Sequence, residues 1–135
     1  MVGLLLLTHG KIGRTILDEA SCLLSDCPLR TGVLNVESDT DPDELVRLGN
    51  KLCRQLDVGD GVLVLTDMYG ATPCNVAVRL KKSYDHEKMI VLSGLNMPML
   101  IRLMNYPALN VEQLAEKAKT GGRDGIVICH QEQAI

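Results

Sequence analysis

His9 closes an apolar opening run, residues 1–7, and is followed at once by Gly10. A second apolar run, Gly61-Val62-Leu63-Val64-Leu65, closes in the same way on Thr66-Asp67. If the two runs are neighbouring parallel strands, an imidazole and a carboxylate meet at the carboxyl edge of one sheet, where open α/β sheets bind ligands. A carboxylate that accepts from one ring nitrogen fixes the tautomer, leaves the other nitrogen as a nucleophile and stabilises the cationic ring formed on attack. His9 and Asp67 are therefore candidate catalytic residues, and attack on phosphorus is chemistry that suits them. A transferring phosphoryl group also needs donors around its oxygens. Met68-Tyr69-Gly70-Ala71-Thr72-Pro73 follows Asp67, with Thr72 and Pro73 reading as the cap and first turn of a helix. Gly70, Ala71 and Thr72 then offer amides and a hydroxyl at a helix N-terminus, which favours anions. Gly10 leaves backbone room beside the ring.

Each of these residues has a plainer reading when taken singly. A lone His at a strand end is more often structural, an Asp before a loop is a common turn former, and Thr72 serves equally well as a simple cap. The matched placement of His9 and Asp67, with a helix start five residues later, points to chemistry. His86, within Asp85-His86-Glu87, reads as a solvated loop residue, and His130 is assigned no role. Met97, Met99 and Met104 read chiefly as a core helix. Their functional alternative is an adaptable apolar docking surface shared with Met68 and Tyr69, because Met suits interfaces that repack.

The elements that must position these residues alternate short apolar runs with helical periodicity. That pattern predicts an α/β, three-layer, doubly wound and mainly parallel sheet in the order 2-1-3-4. Strands are expected at residues 2–7, 31–36, 61–65 and 89–93. Helices are expected at 12–26, from Asp41-Pro42-Asp43-Glu44 to about 56, at 72–82, at 99–104, and from Asn110 to the Gly121-Gly122 stop. Asp41 can cap its helix and Glu44 can complete a capping box. The last apolar run, Gly125-Ile126-Val127-Ile128-Cys129, is expected to be a fifth strand, parallel or added at an edge.

Composition bounds the rest. A chain of 135 residues with 46% apolar content fits one domain, 1–135, with a core that must be aliphatic because Phe and Trp are absent. A net charge of −3 argues against nucleic acid as a ligand. The apolar stretches are too short to span a bilayer and no signal-type leader is evident, so a cytoplasmic protein is expected. Cys22, Cys27, Cys53, Cys74 and Cys129 lack metal-ligand spacing and read as reduced core thiols, so neither a metal nor a cofactor is expected.

Four motifs in order along the chain resemble one known family. They are Thr8-His9-Gly10; Asp67 with Gly70 and Thr72-Pro73-Cys74-Asn75; Ser93-Gly94-Leu95-Asn96-Met97-Pro98-Met99-Leu100; and Thr120-Gly121-Gly122-Arg123-Asp124-Gly125. The sequence is similar to the mannose-type IIA components of the bacterial phosphoenolpyruvate-dependent sugar phosphotransferase system. The resemblance implies that His9 takes a phosphoryl group at Nε2 from the small carrier protein HPr, that Asp67 orients the ring, and that Thr72 contacts the phosphoryl group. It further implies a IIB protein as the next acceptor, membrane contact only through a transporter complex, and a homodimer that exchanges its C-terminal edge strand. Where the family usually has Trp-Gly-Gly-Ser-Pro, this chain has Tyr69-Gly70-Ala71-Thr72-Pro73. Thr72 keeps the hydroxyl, Ala71 restricts the backbone, and Tyr69 trims the implied docking face. Two other readings compete. One is the phosphoryl donor of a dihydroxyacetone kinase system. The other is a receiver-type signalling module with Asp67 as phosphoacceptor, although receivers hold an acidic pair where this chain has Thr8-His9-Gly10.

Overall fold

The computed structural model describes residues 1–84 and 88–130. Its elements are β1 (Gly3–His9), α1 (Ile12–Leu24), β2 (Thr31–Val36), α2 (Pro42–Leu56), β3 (Val62–Thr66), α3 (Thr72–Ser83), β4 (Met89–Ser93), α4 (Met97–Met104) and α5 (Val111–Asp124). The strands form one parallel sheet in the order β2-β1-β3-β4, as the sequence pattern predicts.

Side-chain alternation along β1 builds the two faces. Leu4 and Leu6 pack with Leu17 of α1, Leu100 and Leu103 of α4, and Leu114 of α5. Leu5 and Leu7 pack with Leu45 and Cys53 of α2 and with Val76 and Leu80 of α3. A strand covered on both faces needs apolar residues at every position, which is why the opening run does not alternate with polar residues. Each fully buried Leu contributes about 1.5–3 kcal/mol, so the rim of the sheet rests on a stiff and strongly favoured centre.

Several local expectations are corrected. Asp41 does cap α2, accepting from the Asp43 amide at 3.0 Å, but Glu44 does not complete a capping box. Its carboxylate binds Arg47 Nε at 2.9 Å instead, because a guanidinium one turn ahead offers a charge-assisted bond. Helix α1 ends at Leu24 rather than near Asp26, with Ser25 left-handed at φ 63°. Helix α5 runs through Gly121 and Gly122 to Asp124 instead of stopping there. A Cβ on Gly121 would lie 2.4 Å from Arg102 Cβ, so these glycines let α5 close onto α4 rather than end the helix.

Residues 125–129 do not form the expected fifth strand. The chain leaves α5 without regular structure, and Ile126, Val127 and Ile128 are 80%, 63% and 78% exposed. An apolar run becomes a strand only where another strand's edge satisfies its backbone, and no strand among the described residues pairs with it. The reading of His86 lies outside the described residues. Among the described residues, no helix is long and apolar enough to cross a membrane.

Only part of the cysteine reading holds. Cys53 and Cys74 are buried in the core, whereas Cys22 and Cys129 are exposed. Burial, with a smaller contribution from Asp57, pushes the Cys53 thiol up to about 12. A thiol-specific reagent such as DTNB at pH 8 should label Cys22 and Cys129 in the native protein, and Cys53 and Cys74 only after unfolding. Rapid native labelling of Cys53 would contradict this packing.

At the opposite end of the sheet from His9, Asp57 clips the turn into β3. Burial alone would raise its carboxyl. Hydrogen bonds from the Tyr84 hydroxyl and from the Gly59 and Gly61 amides, at 2.8 and 3.0 Å for the amides, outweigh that and hold it below its ordinary value of 3.8. A depressed carboxyl contributes stability that is present above its unfolded pKa and lost as pH falls through its folded pKa. Urea unfolding followed below about pH 4 should therefore show a steeper acid loss for the wild type than for Asp57→Asn. Equal slopes would show that the clip contributes nothing.

Candidate functional site

β1 and β3 pair in parallel with Leu7 opposite Thr66, so His9 and Asp67 emerge on the same rim. This is the switch point, where one connection leads from β1 outward to β2 and the other from β3 outward to β4. His9 is fixed from both chain directions. Before it, the fully buried Thr8 hydroxyl accepts the Gly13 amide at 2.7 Å, tying the first turn of α1 to the strand. After it, Gly10 turns at φ +48° and donates its amide to the Val36 carbonyl at 2.9 Å.

Asp67 completes the constraint with one oxygen. Its Oδ2 accepts from His9 Nδ1 at 2.8 Å and from the His9 backbone amide at 3.2 Å, so ring and main chain of one residue are held at a single point. An ionised carboxylate only accepts, so the ring proton sits on Nδ1 and the lone pair on Nε2. The His9 side chain is 42% exposed and that of Asp67 is 12% exposed. The ring is thus open to a visitor while its carboxylate is screened. Oδ1 of Asp67 is buried with no partner among the described residues.

The loop after Asp67 carries the other sequence candidates. Met68 and Tyr69 are 57% and 87% exposed, which suits a contact face and not loop packing. Gly70 is exposed and turns at φ +80°. The helix cap is Ala71, one residue before the expected Thr72, and the Ala71 carbonyl accepts the Asn75 amide at 3.0 Å. Pro73 fits the first turn with either start, which is why the sequence could not fix the boundary to one residue. Thr72 is already helical and no side chain caps this helix, so its exposed hydroxyl is without a hydrogen-bond partner among the described residues.

The methionines divide. Met97 is half-buried and lines a shallow groove with Lys11, Ile12, Thr15, Ile16 and Glu19. Met99 is 3% exposed, with its side chain packed in the core and beside Gly122, so it cannot meet a partner. Sequence reasoning missed Ile12. Its helical spacing places it on the apolar stripe of α1, yet it is 50% exposed in the groove. Its position three residues after His9, before the helix is fully covered, was the available signal. His130 is exposed in the segment after α5. Among the described residues, no three His, Cys, Asp or Glu side chains converge as metal ligands would.

Residues 3–119 match the family model described as the PTS system fructose IIA component. The chain is 28% identical over 123 residues to the PTS system mannose-specific EIIAB component of Escherichia coli strain K12, covering 88% of this chain and 36% of that protein. It therefore spans about a third of the length of that relative. The phosphotransferase system component EIIA from Streptococcus agalactiae superposes with a TM-score of 0.81 at 29% identity, covering 95% of this chain and 97% of that one. The mannose/sorbose-specific IIA subunit from Enterococcus faecalis shares the fold with a TM-score of 0.83 at 22% identity, covering 96% and 95%. Sheet order, rim and matched span agree, and the chain belongs to the mannose/fructose-type IIA family of the sugar phosphotransferase system.

Proposed function

We propose that this protein carries a phosphoryl group on His9 Nε2, taking it from HPr and passing it to a IIB-type acceptor. The observation that supports this most strongly is the half-exposed imidazole whose Nδ1 is held by a screened carboxylate. In the forward step the Nε2 lone pair attacks the phosphorus of the donor phosphohistidine. A new N–P bond forms as the donor's N–P bond breaks, and that electron pair stays on the donor nitrogen. The proton stays on Nδ1, hydrogen-bonded to Asp67 Oδ2, whose negative charge stabilises the positive ring as it develops. The first-turn amides of α3 and the free Thr72 hydroxyl are the donors for the phosphoryl oxygens. Met68, Tyr69, Ile12 and Met97 supply an apolar face on which the two protein partners dock in turn.

The receiver reading fits this geometry less well. A receiver phosphorylates its carboxylate, whereas here Asp67 Oδ2 is committed to His9 and Oδ1 is buried. The family and relatives matched are named for sugar phosphotransfer, which also favours a transport or regulatory carrier over a dihydroxyacetone kinase donor.

Incubation with phosphoenolpyruvate, enzyme I and HPr should add one phosphoryl group, acid-labile and alkali-stable, that maps to His9. His9→Ala should fold and take up none. Asp67→Ala should still be labelled but about 10- to 100-fold more slowly, the rate equivalent of one charge-assisted hydrogen bond. A hydroxylamine-sensitive label, or full labelling of His9→Ala, would move the phosphoacceptor elsewhere.

A second observation bears on assembly. The outer edge of β4 pairs with nothing among the described residues, and the tail beyond α5 exposes Ile126, Val127 and Ile128. The two deficits complement each other between copies, with the tail of one chain pairing along the β4 edge of another. Light scattering should report a dimer for the full chain, and removal of residues 126–135 should yield a monomer. A truncated protein that remains dimeric would remove the tail from the interface.

A further inference from the structure

We propose that the Ser93-Gly94-Leu95 turn, acting through Thr66, positions the Asp67 carboxylate against His9. The proposal rests on the carrier reading for its functional meaning and assigns a task to a motif that reading leaves unused.

Asp67 needs such support. Among the described residues only one of its oxygens has partners, and both belong to His9, the residue it must orient. Its own side-chain contacts therefore cannot fix its direction, and the backbone that carries it must do so. Thr66 is that backbone neighbour, and it is fully buried. Its carbonyl accepts two amides from the end of β4, Gly94 at 3.1 Å and Leu95 at 3.0 Å. Its hydroxyl donates to Ser93 Oγ at 3.0 Å. Three bonds from one turn thus fall on the residue next to the carboxylate.

The turn is shaped for this. Two successive amides reach one carbonyl because Gly94 sits at φ +94°, which L side chains rarely adopt. Beyond its two chain neighbours, no heavy atom of the described residues lies within 4 Å of where its Cβ would be, so the position demands a backbone conformation and not a lack of bulk. The turn is itself anchored, since Asn96 Nδ2 donates to the Gly122 carbonyl at 3.0 Å while Asn96 Oδ1 accepts the Met99 amide at 2.9 Å. The peptide carrying Asp67 is in this way referenced to α4 and α5, outside the two strands that hold the site.

The test uses the full-length protein and reads the imidazole directly. Thr66→Val replaces the hydroxyl by a methyl of similar size, and Thr66→Ser restores it. Long-range ¹⁵N–¹H NMR should show His9 as a single Nδ1–H tautomer in the wild type and in Thr66→Ser, and as a mixture in Thr66→Val. Transfer from phosphorylated HPr should slow about threefold to tenfold in Thr66→Val, the rate equivalent of one neutral hydrogen bond, and recover in Thr66→Ser. Ser93→Ala, at a partly exposed position, deletes the same bond from the other side and should give the same spectrum and rate; it decides the matter if Thr66→Val does not fold. Folded variants with the wild-type tautomer and rate would overturn the proposal. The tautomer signal needs no phosphoryl donor, so a wild-type protein that HPr fails to label would end the carrier reading while still deciding the positioning role.

Discussion

The shared oxygen of Asp67 is the constraint around which the rest of this molecule is arranged. A hydrogen bond to a carboxylate is worth about 1.5–3 kcal/mol, more than a neutral pair, but only when the partners are delivered in register. Here one partner lies at the end of β1 and the other just past β3, 58 residues apart in sequence. The pairing of Leu7 with Thr66 fixes their separation, and the aliphatic layers on both faces hold that pairing. Keeping a carboxylate largely out of water with one oxygen unpartnered among the described residues is costly. The cost is carried by the fully buried leucines beneath the rim, whose burial is large and non-directional.

How much of this was legible in the sequence depended on the kind of signal. The strands and their order could be read because an apolar run of five to seven residues between turn signals has few alternatives in a chain that alternates strand and helix patterns. His9 and Asp67 could be read because both follow such a run directly. The Asn110 cap could be read from local chemistry, and the structure bears it out with a reciprocal box to Gln113. What could not be read depended on contacts between distant elements. Gly121-Gly122 looks like a helix stop in one dimension but is a close crossing onto Arg102 and Met99 in three. Met99 and Met97 are two residues apart and chemically identical, yet opposite sides of α4 send one to the core and the other to the surface. The tail has a strand's composition without a strand's partner, and composition alone cannot supply an edge.

The surface around the ring also separates what the fold demands from what a partner would demand. Tyr69 and Met68 are strongly exposed, and Ile12 is half-exposed at the first turn of α1. Nothing in the packing of a single chain requires large apolar side chains there. Exposed apolar groups of this size are what the proposed docking would cover. Thr72 and Ala71 differ from the usual family loop at the edge of this surface, and both leave the architecture beneath unchanged: α3 still starts with Pro73 in its first turn. Thr66, which precedes the carboxylate that holds the imidazole, is by contrast fully buried.

The course of α5 has a consequence for how such a surface is used. Its first turn lies by Met1 and Lys88, at the end of the sheet remote from His9, and its last turn lies by Asn96 and Pro98, next to the turn that grips Thr66. The helix thus transports the chain across the full height of the sheet and releases the apolar tail on the histidine-bearing side. A neighbour that shelters those residues would stand at the shoulder of whatever protein comes to the ring. If the proposed dimer and the proposed carrier role both hold, assembly and transfer share a single frontier.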